Sequence, residues 1–151
     1  MIRIVTDSAA DLTAAELSAP GVFVVPLSVT FADGTTQLDD GTMTKDEFFV
    51  RLAEDSKLPR TSQPSPASFI ELFEDAADAG DEVIVITVAQ KLSGTYQCAS
   101  LAAAETDAKV YIIDSETATQ GEAIIAREAI RLREQGLSAS RIAAELETFK
   151  K

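Results

Sequence analysis

The stretch EVIVITV, residues 82–88, is short, apolar and β-branched with no polar alternation, the pattern of a parallel strand covered on both faces. Two runs of the same kind, IRIVTD (2–7) and KVYIID (109–114), lie on either side of it in the chain. VFVVPLSVTF (22–31) is a fourth, but Pro26 removes a ladder donor within it, so it reads as an edge strand or a strand with a break. ADGTT (32–36) follows as a turn suited to a hairpin.

Helical segments separate these runs. TKDEFFVRLAED (44–55) opens with a capping box between Thr44 and Glu47. PASFIELFEDAADA (66–79) has Ser65 at its N-cap, Pro66 at its first position and Gly80 past its end. GTYQCASLAAAET (94–106), EAIIAREAIRLREQ (122–135) and SASRIAAELETFKK (138–151) complete the set, with Gly136 between the last two. Alternating strands and helices predict an α/β fold, a three-layer α/β/α arrangement around a mostly parallel sheet with right-handed crossovers. The last helix carries Ile142, Leu146 and Phe149 at helical spacing, so either it packs back on the sheet or the sequence is a fragment.

KLPRTSQPSPASF (57–69) places three prolines among hydroxyls and one arginine. Proline fixes φ, removes a donor and pushes the preceding residue to extended geometry, which excludes a helix interior or a central strand. The expectation is a shaped loop.

A chain of 151 residues accommodates one domain with a core, and 46% hydrophobic against 25% charged residues fits a globular protein. No run approaches the roughly 20 apolar residues of a membrane helix, and the N-terminus turns polar too early for a signal peptide, so a cytoplasmic protein is expected. Thirteen basic and 25 acidic residues give a net charge of −12 without a basic stripe, which disfavours nucleic acid as a partner. An anionic ligand would need local devices, hydroxyls or backbone N–H groups, against that field. A single Cys98 excludes an internal disulfide, and the absence of histidine excludes Ser-His-Asp and Cys-His catalysis and the usual zinc sites.

In open parallel sheets, ligands collect at the carboxyl ends of strands. Four hydroxyl-rich segments fall there or beside it: TDSAAD (6–11), RTSQPS (60–65), AQKLSGTYQ (89–97) and DSETATQG (114–121). Ser93 and Gly94 precede a helix, so free N–H groups would favour a carboxylate or phosphate, with Thr95 beside them; the alternative is that Ser93 is an N-cap alone. Thr61 and Ser62 lie upstream of the Ser65 cap and are free for a ligand, whereas Arg60 reads as a solvated surface residue. Asp7, Ser8 and Asp11, and likewise Asp114 and Ser115, suit either acid–base or hard-metal chemistry or plain strand-to-helix capping. Neither a phosphate loop nor a G-x-G-x-x-G pattern is present, so no cofactor and no resident metal are expected.

Together, IVTDSAADL, PRTSQPSP, LSGTYQCA and YIIDSETATQG resemble, in order, the motifs of the DegV family of bacterial fatty-acid-binding proteins. The resemblance implies that loop hydroxyls hold a fatty acid carboxylate: Thr61 or Ser62, and Ser93 with the Gly94 backbone, with Asp7, Ser8, Thr95 and Ser115 as secondary candidates. It also implies a protein that is not an enzyme. Family members take an acyl chain from a membrane surface and present its carboxylate to a separate fatty acid kinase, an acyl-carrier role in phospholipid synthesis. Family members are longer, so residues 1–151 are expected to be one α/β domain resembling the N-terminal one, with the second family domain absent. Each CH₂ left unburied would then forfeit about 0.8 kcal/mol, and an uncovered face would invite self-association. Two other classes remain: a metal-dependent hydrolase or phosphotransferase using Asp7, Asp11 or Asp114, and an interaction module in which the loops are structural.

Overall fold

A computed structural model describes residues 1–151. In chain order the strands are β1 (Ile2–Asp7), β2 (Val22–Val25), β3 (Ser28–Thr30), β4 (Thr36–Leu38), β5 (Arg60–Ser62), β6 (Glu82–Thr87) and β7 (Lys109–Asp114). The helices are α1 (Ala14–Leu17), α2 (Lys45–Glu54), α3 (Pro66–Asp78), α4 (Thr95–Ala104), α5 (Gln120–Glu134) and α6 (Ala139–Phe149), with a 3-10 turn at Ser8–Ala10.

Strands pair in the order β2-β1-β6-β7, all parallel, and β6 lies inside this sheet with Val85 in register with Val5 and Ile112. Side-chain alternation then sorts the core into two layers. Val5, Val83 and Val85 meet Phe69, Phe73 and Ala76 of α3 and Cys98, Ala99 and Ala102 of α4. On the other face Ile4, Ile84, Ile86 and Ile113 meet Ile125, Ala126 and Ala129 of α5 and Ile142 and Leu146 of α6. The three-layer α/β expectation therefore holds, and its reason is visible: strands covered on both faces fill both layers with apolar side chains, and Thr6, Asp7 and Thr87 fall at their carboxyl ends. Fully burying each large apolar side chain contributes about 1.5–3 kcal/mol.

At Pro26 the fourth apolar run breaks, and its halves join different sheets. Val22–Val25 forms the β2 edge of the parallel sheet, while Ser28–Thr30 is the middle of a small antiparallel sheet ordered β4-β3-β5. The expected hairpin closes between Thr30 and Thr36, with Asp33 Oδ1 accepting from the Thr35 N–H at 2.9 Å. One expectation is corrected: 57–69 is not loop throughout, because Arg60–Ser62 pairs antiparallel with β3. Pro59 and Pro64 fall just outside the three paired residues, so the ladder loses no donor.

Thr44, Ser65 and Ser138 cap α2, α3 and α6 with their side chains, and Thr44 with Glu47 makes the full capping box. The cap of α4 is Gly94, without a side-chain cap bond. Helix α6 packs back on the sheet through Ile142 and Leu146, leaving Phe149 exposed. Its Lys150 Nζ donates to the Asp114 carbonyl at 3.0 Å, which fastens the helix end to β7. No helix is long and apolar enough to cross a membrane.

Candidate functional site

Between the carboxyl ends of the parallel strands and the small sheet lies a cavity of about 640 Å³, within the size range of small-molecule sites. Thr61, Ser62, Ser93 and Gly94 all line it, alongside apolar Leu27, Val29 and Val88. Two separate elements deliver the hydroxyls. Thr61 and Ser62 come from β5, where pairing with Val29 and Ser28 holds the backbone extended. Ser93 comes from the turn after β6, where the Leu92 and Ser93 N–H groups both donate to the Ala89 carbonyl.

Hydrogen bonding arms the Ser93 hydroxyl. Ser93 Oγ accepts from the Thr95 N–H at 3.3 Å and lies 2.9 Å from Thr95 Oγ1. Thr95 is fully buried. Either hydroxyl of this pair can donate to the other, and when Thr95 donates, the Ser93 proton is free for an acceptor in the cavity.

Gly94 is the backbone candidate for the anion. Its N–H donates to Gln63 Oε1 at 3.1 Å, so the backbone donor foreseen for an anion is already engaged by a side chain from the opposite wall. Gln63 had drawn no functional reading, because a glutamine between a serine and a proline carries no local signal.

Asp7, Ser8 and Ser115 were secondary candidates for the carboxylate, and none of them lines the cavity. Ser8 Oγ accepts from the Leu27 N–H at 3.0 Å, and Ser115 Oγ is spent on Thr117, accepting from its N–H and donating to its carbonyl. Asp7 is buried beneath the floor. Its carboxylate accepts from Ala9 N–H at 2.9 Å and Val88 N–H at 2.8 Å, and both residues line the cavity. Burial pushes the Asp7 pKa up to about 6, opposed by those two hydrogen bonds. It serves as the bolt that joins the ends of β1 and β6.

Glu122, in the first turn of α5, was missed. It is fully buried, neither carboxyl oxygen has a hydrogen-bond partner, and its pKa is pushed up to about 10 by burial and then by the Asp7 charge. An acid in a first helical turn reads as a favourable surface charge. Only the packing of α5 on the sheet reveals the burial.

The carboxylates of the metal-enzyme alternative are dispersed among local tasks. Asp11 is exposed and pairs with Lys45 at 2.7 Å, Asp114 accepts from Gln90 and Glu116 N–H groups, and Asp7 is committed as above. No group of three or more His, Cys, Asp or Glu side chains is placed to hold a metal ion.

A second cavity, of about 490 Å³, shares Val29, Asp39 and Thr61 with the lining of the first and is also lined by Phe31 and by Phe48 and Phe49 of α2. Thr61 thus borders both the hydroxyl-lined cavity and the aromatic one.

A family model described as "Uncharacterised protein, DegV family" matches residues 1–151. The chain belongs to the DegV family. A DegV domain-containing protein of Caldanaerobacter subterraneus is 38% identical over 142 residues, which is 93% of this chain and 50% of that one. Among solved structures, a DegV family protein from Thermus thermophilus, described by its fatty acid binding, superposes with a TM-score of 0.88 at 37% identity, covering 99% of this chain and 53% of that one. A stearic-acid-binding protein from Eubacterium ventriosum gives 0.89 at 35% identity, covering 97% and 52%. This DegV-family chain thus spans about half the length of the curated relatives it matches.

Proposed function

We propose that this chain binds a long-chain fatty acid and holds its carboxylate with the hydroxyls of Thr61, Ser62 and Ser93. The observation that carries the reading is convergence. Residues from β5 and from the turn before α4, far apart in sequence, place hydroxyls on one cavity, and an apolar cavity shares three of its lining residues. Neutral donors suit a carboxylate in a chain of net charge −12, where a committed cation would be drawn into pairs with the many acids. Fatty acid binding by related solved structures supports the same ligand class.

In this reading the chain is not an enzyme. It shields the acyl chain and presents the carboxylate to a separate fatty acid kinase for acyl-phosphate formation, with a second α/β domain completing the tunnel. Mass spectrometry of the protein purified from bacteria, native and then denatured, tests the ligand. A released long-chain fatty acid at near-stoichiometric occupancy, lost in the Thr61→Ala, Ser93→Ala double variant, is the expected result. Absence of lipid, both here and in a form extended to the full length of the relatives, would overturn it.

A further inference from the structure

We propose that Gln63 is the positioning residue of this cavity: its side-chain amide clasps β5 to the start of α4, setting the gap between the Thr61 and Ser62 hydroxyls and Ser93. Gly94 is then a glycine to admit Gln63, not the ligand. The binding consequence rests on the carboxylate reading above.

Sequence adjacency makes the clasp effective. Gln63 directly follows Ser62, and Gly94 directly follows Ser93, so the Gly94 N–H to Gln63 Oε1 bond at 3.1 Å links the two hydroxyl walls one residue from each. Chemistry fixes the amide orientation. A backbone N–H can only donate, so the oxygen must face Gly94, and the amide NH₂ then turns to Cys98 Sγ at 3.3 Å. Gln63 therefore lies along the first turn of α4, held at residues 94 and 98. Pro64 after it is buried and keeps the Gln63 backbone out of helical geometry, directing the side chain across the gap.

Conformation and space agree. Gly94 has φ −79° and ψ 8°, a sparsely populated region that is nonetheless open to residues other than glycine, so its backbone does not demand glycine. The space there is taken by Gln63 itself: a Cβ would lie 2.3 Å from Gln63 Oε1 and 2.8 Å from its Cδ and Nε2. These atoms are the far end of a flexible side chain, which swings aside at little cost, and swinging aside means giving up the Gly94 bond. Any larger residue at 94 would thus open the clasp.

A double-mutant cycle over Gln63→Ala and Gly94→Ala decides the matter, read by calorimetric titration with palmitate, by exchange of the residue 94 amide, and by thermal midpoint. Each single variant is expected to weaken palmitate binding about tenfold, the size of one lost positioning hydrogen bond, and to deprotect the residue 94 amide while leaving the thermal midpoint near that of the parent. The double variant is expected to bind no worse than Gln63→Ala, since the second change removes nothing further. If Gly94→Ala weakens binding as much in the Gln63→Ala background as in the parent, the glycine serves the ligand and the proposal falls. Should palmitate fail to bind both the parent and a form extended to the full length of the relatives, the carboxylate reading fails separately. The clasp is then judged by amide exchange alone: protection at residue 94 that survives Gln63→Ala would refute it.

Discussion

The two sheets of this protein lie side by side and are held by different forces. In β6 every residue from Val83 to Thr87 is buried, whereas every residue of β4 and β5 is exposed and β3 is half-buried. The parallel sheet draws its stability from two apolar layers. The small sheet relies on backbone pairing, on Arg51 stacked 3.7 Å from the Phe31 ring centre, and on the Arg51–Asp33 ion pair at 2.8 Å. Its contribution to global stability is correspondingly small, and regions with few buried contacts open locally at lower free energy than the core. The candidate site spans both: Ser93 stands on the firm side, Thr61 and Ser62 on the compliant one. The proposed Gln63–Gly94 clasp would join the firm side to the compliant one.

The contrast can be broken most forcefully from the core. Phe73→Ala, fully buried against Phe69, should cost about 3–5 kcal/mol in urea unfolding, whereas Leu38→Ala on exposed β4 should cost little. A smaller effect comes from Glu122. Its folded pKa is pushed up to about 10, far above the ordinary carboxyl range, so the folded state holds a proton that the unfolded chain releases. The stability this group contributes is therefore fully present below the ordinary carboxyl range and is lost as pH rises toward 10. Asp7, raised to about 6, acts in the same direction over a lower window that ends near pH 6. Glu122→Gln should flatten most of that decline and stabilise the protein by up to about 3 kcal/mol at pH 7, as measured by unfolding across pH.

Asp39 offers a test on the compliant side, since it lines both cavities and would repel a bound carboxylate. Asp39→Asn should tighten palmitate binding severalfold, on the order of 1 kcal/mol; unchanged affinity would move the carboxylate away from that wall. The smallest effect is expected for Arg51→Ala. Losing an exposed ion pair and a cation–π contact costs about 0.5–1 kcal/mol, and hydrogen exchange should show it in β3 and β4 with the parallel sheet unaffected.

Much of this was legible in the chain. The β-branched runs announced the parallel strands because burial on both faces excludes alternation, and Thr44 and Ser65 announced helix starts because capping is local. Pro26 marked the break between sheets. The small elements were not legible: β5 and α1 span three and four residues, too few for any periodicity to show. Thr61, Ser62 and Ser93 were singled out by their placement after strands and before helices, but nothing local could show that they share one cavity.

By itself, the sequence determined the layered α/β architecture, the starts of α2 and α3 and the position of Thr61 and Ser62 upstream of the Ser65 cap, since each follows from backbone periodicity or from contacts within one turn. Only the tertiary structure decided that Gln63 meets Gly94 across 31 residues, that Asp7 braces the cavity floor from β1 to the residue after β6, and that Glu122 is entombed behind it. Those facts depend on which surfaces come together when helices pack on a sheet, and desolvation of a charge or the approach of a side chain to a glycine is a property of that assembly, not of any stretch of chain.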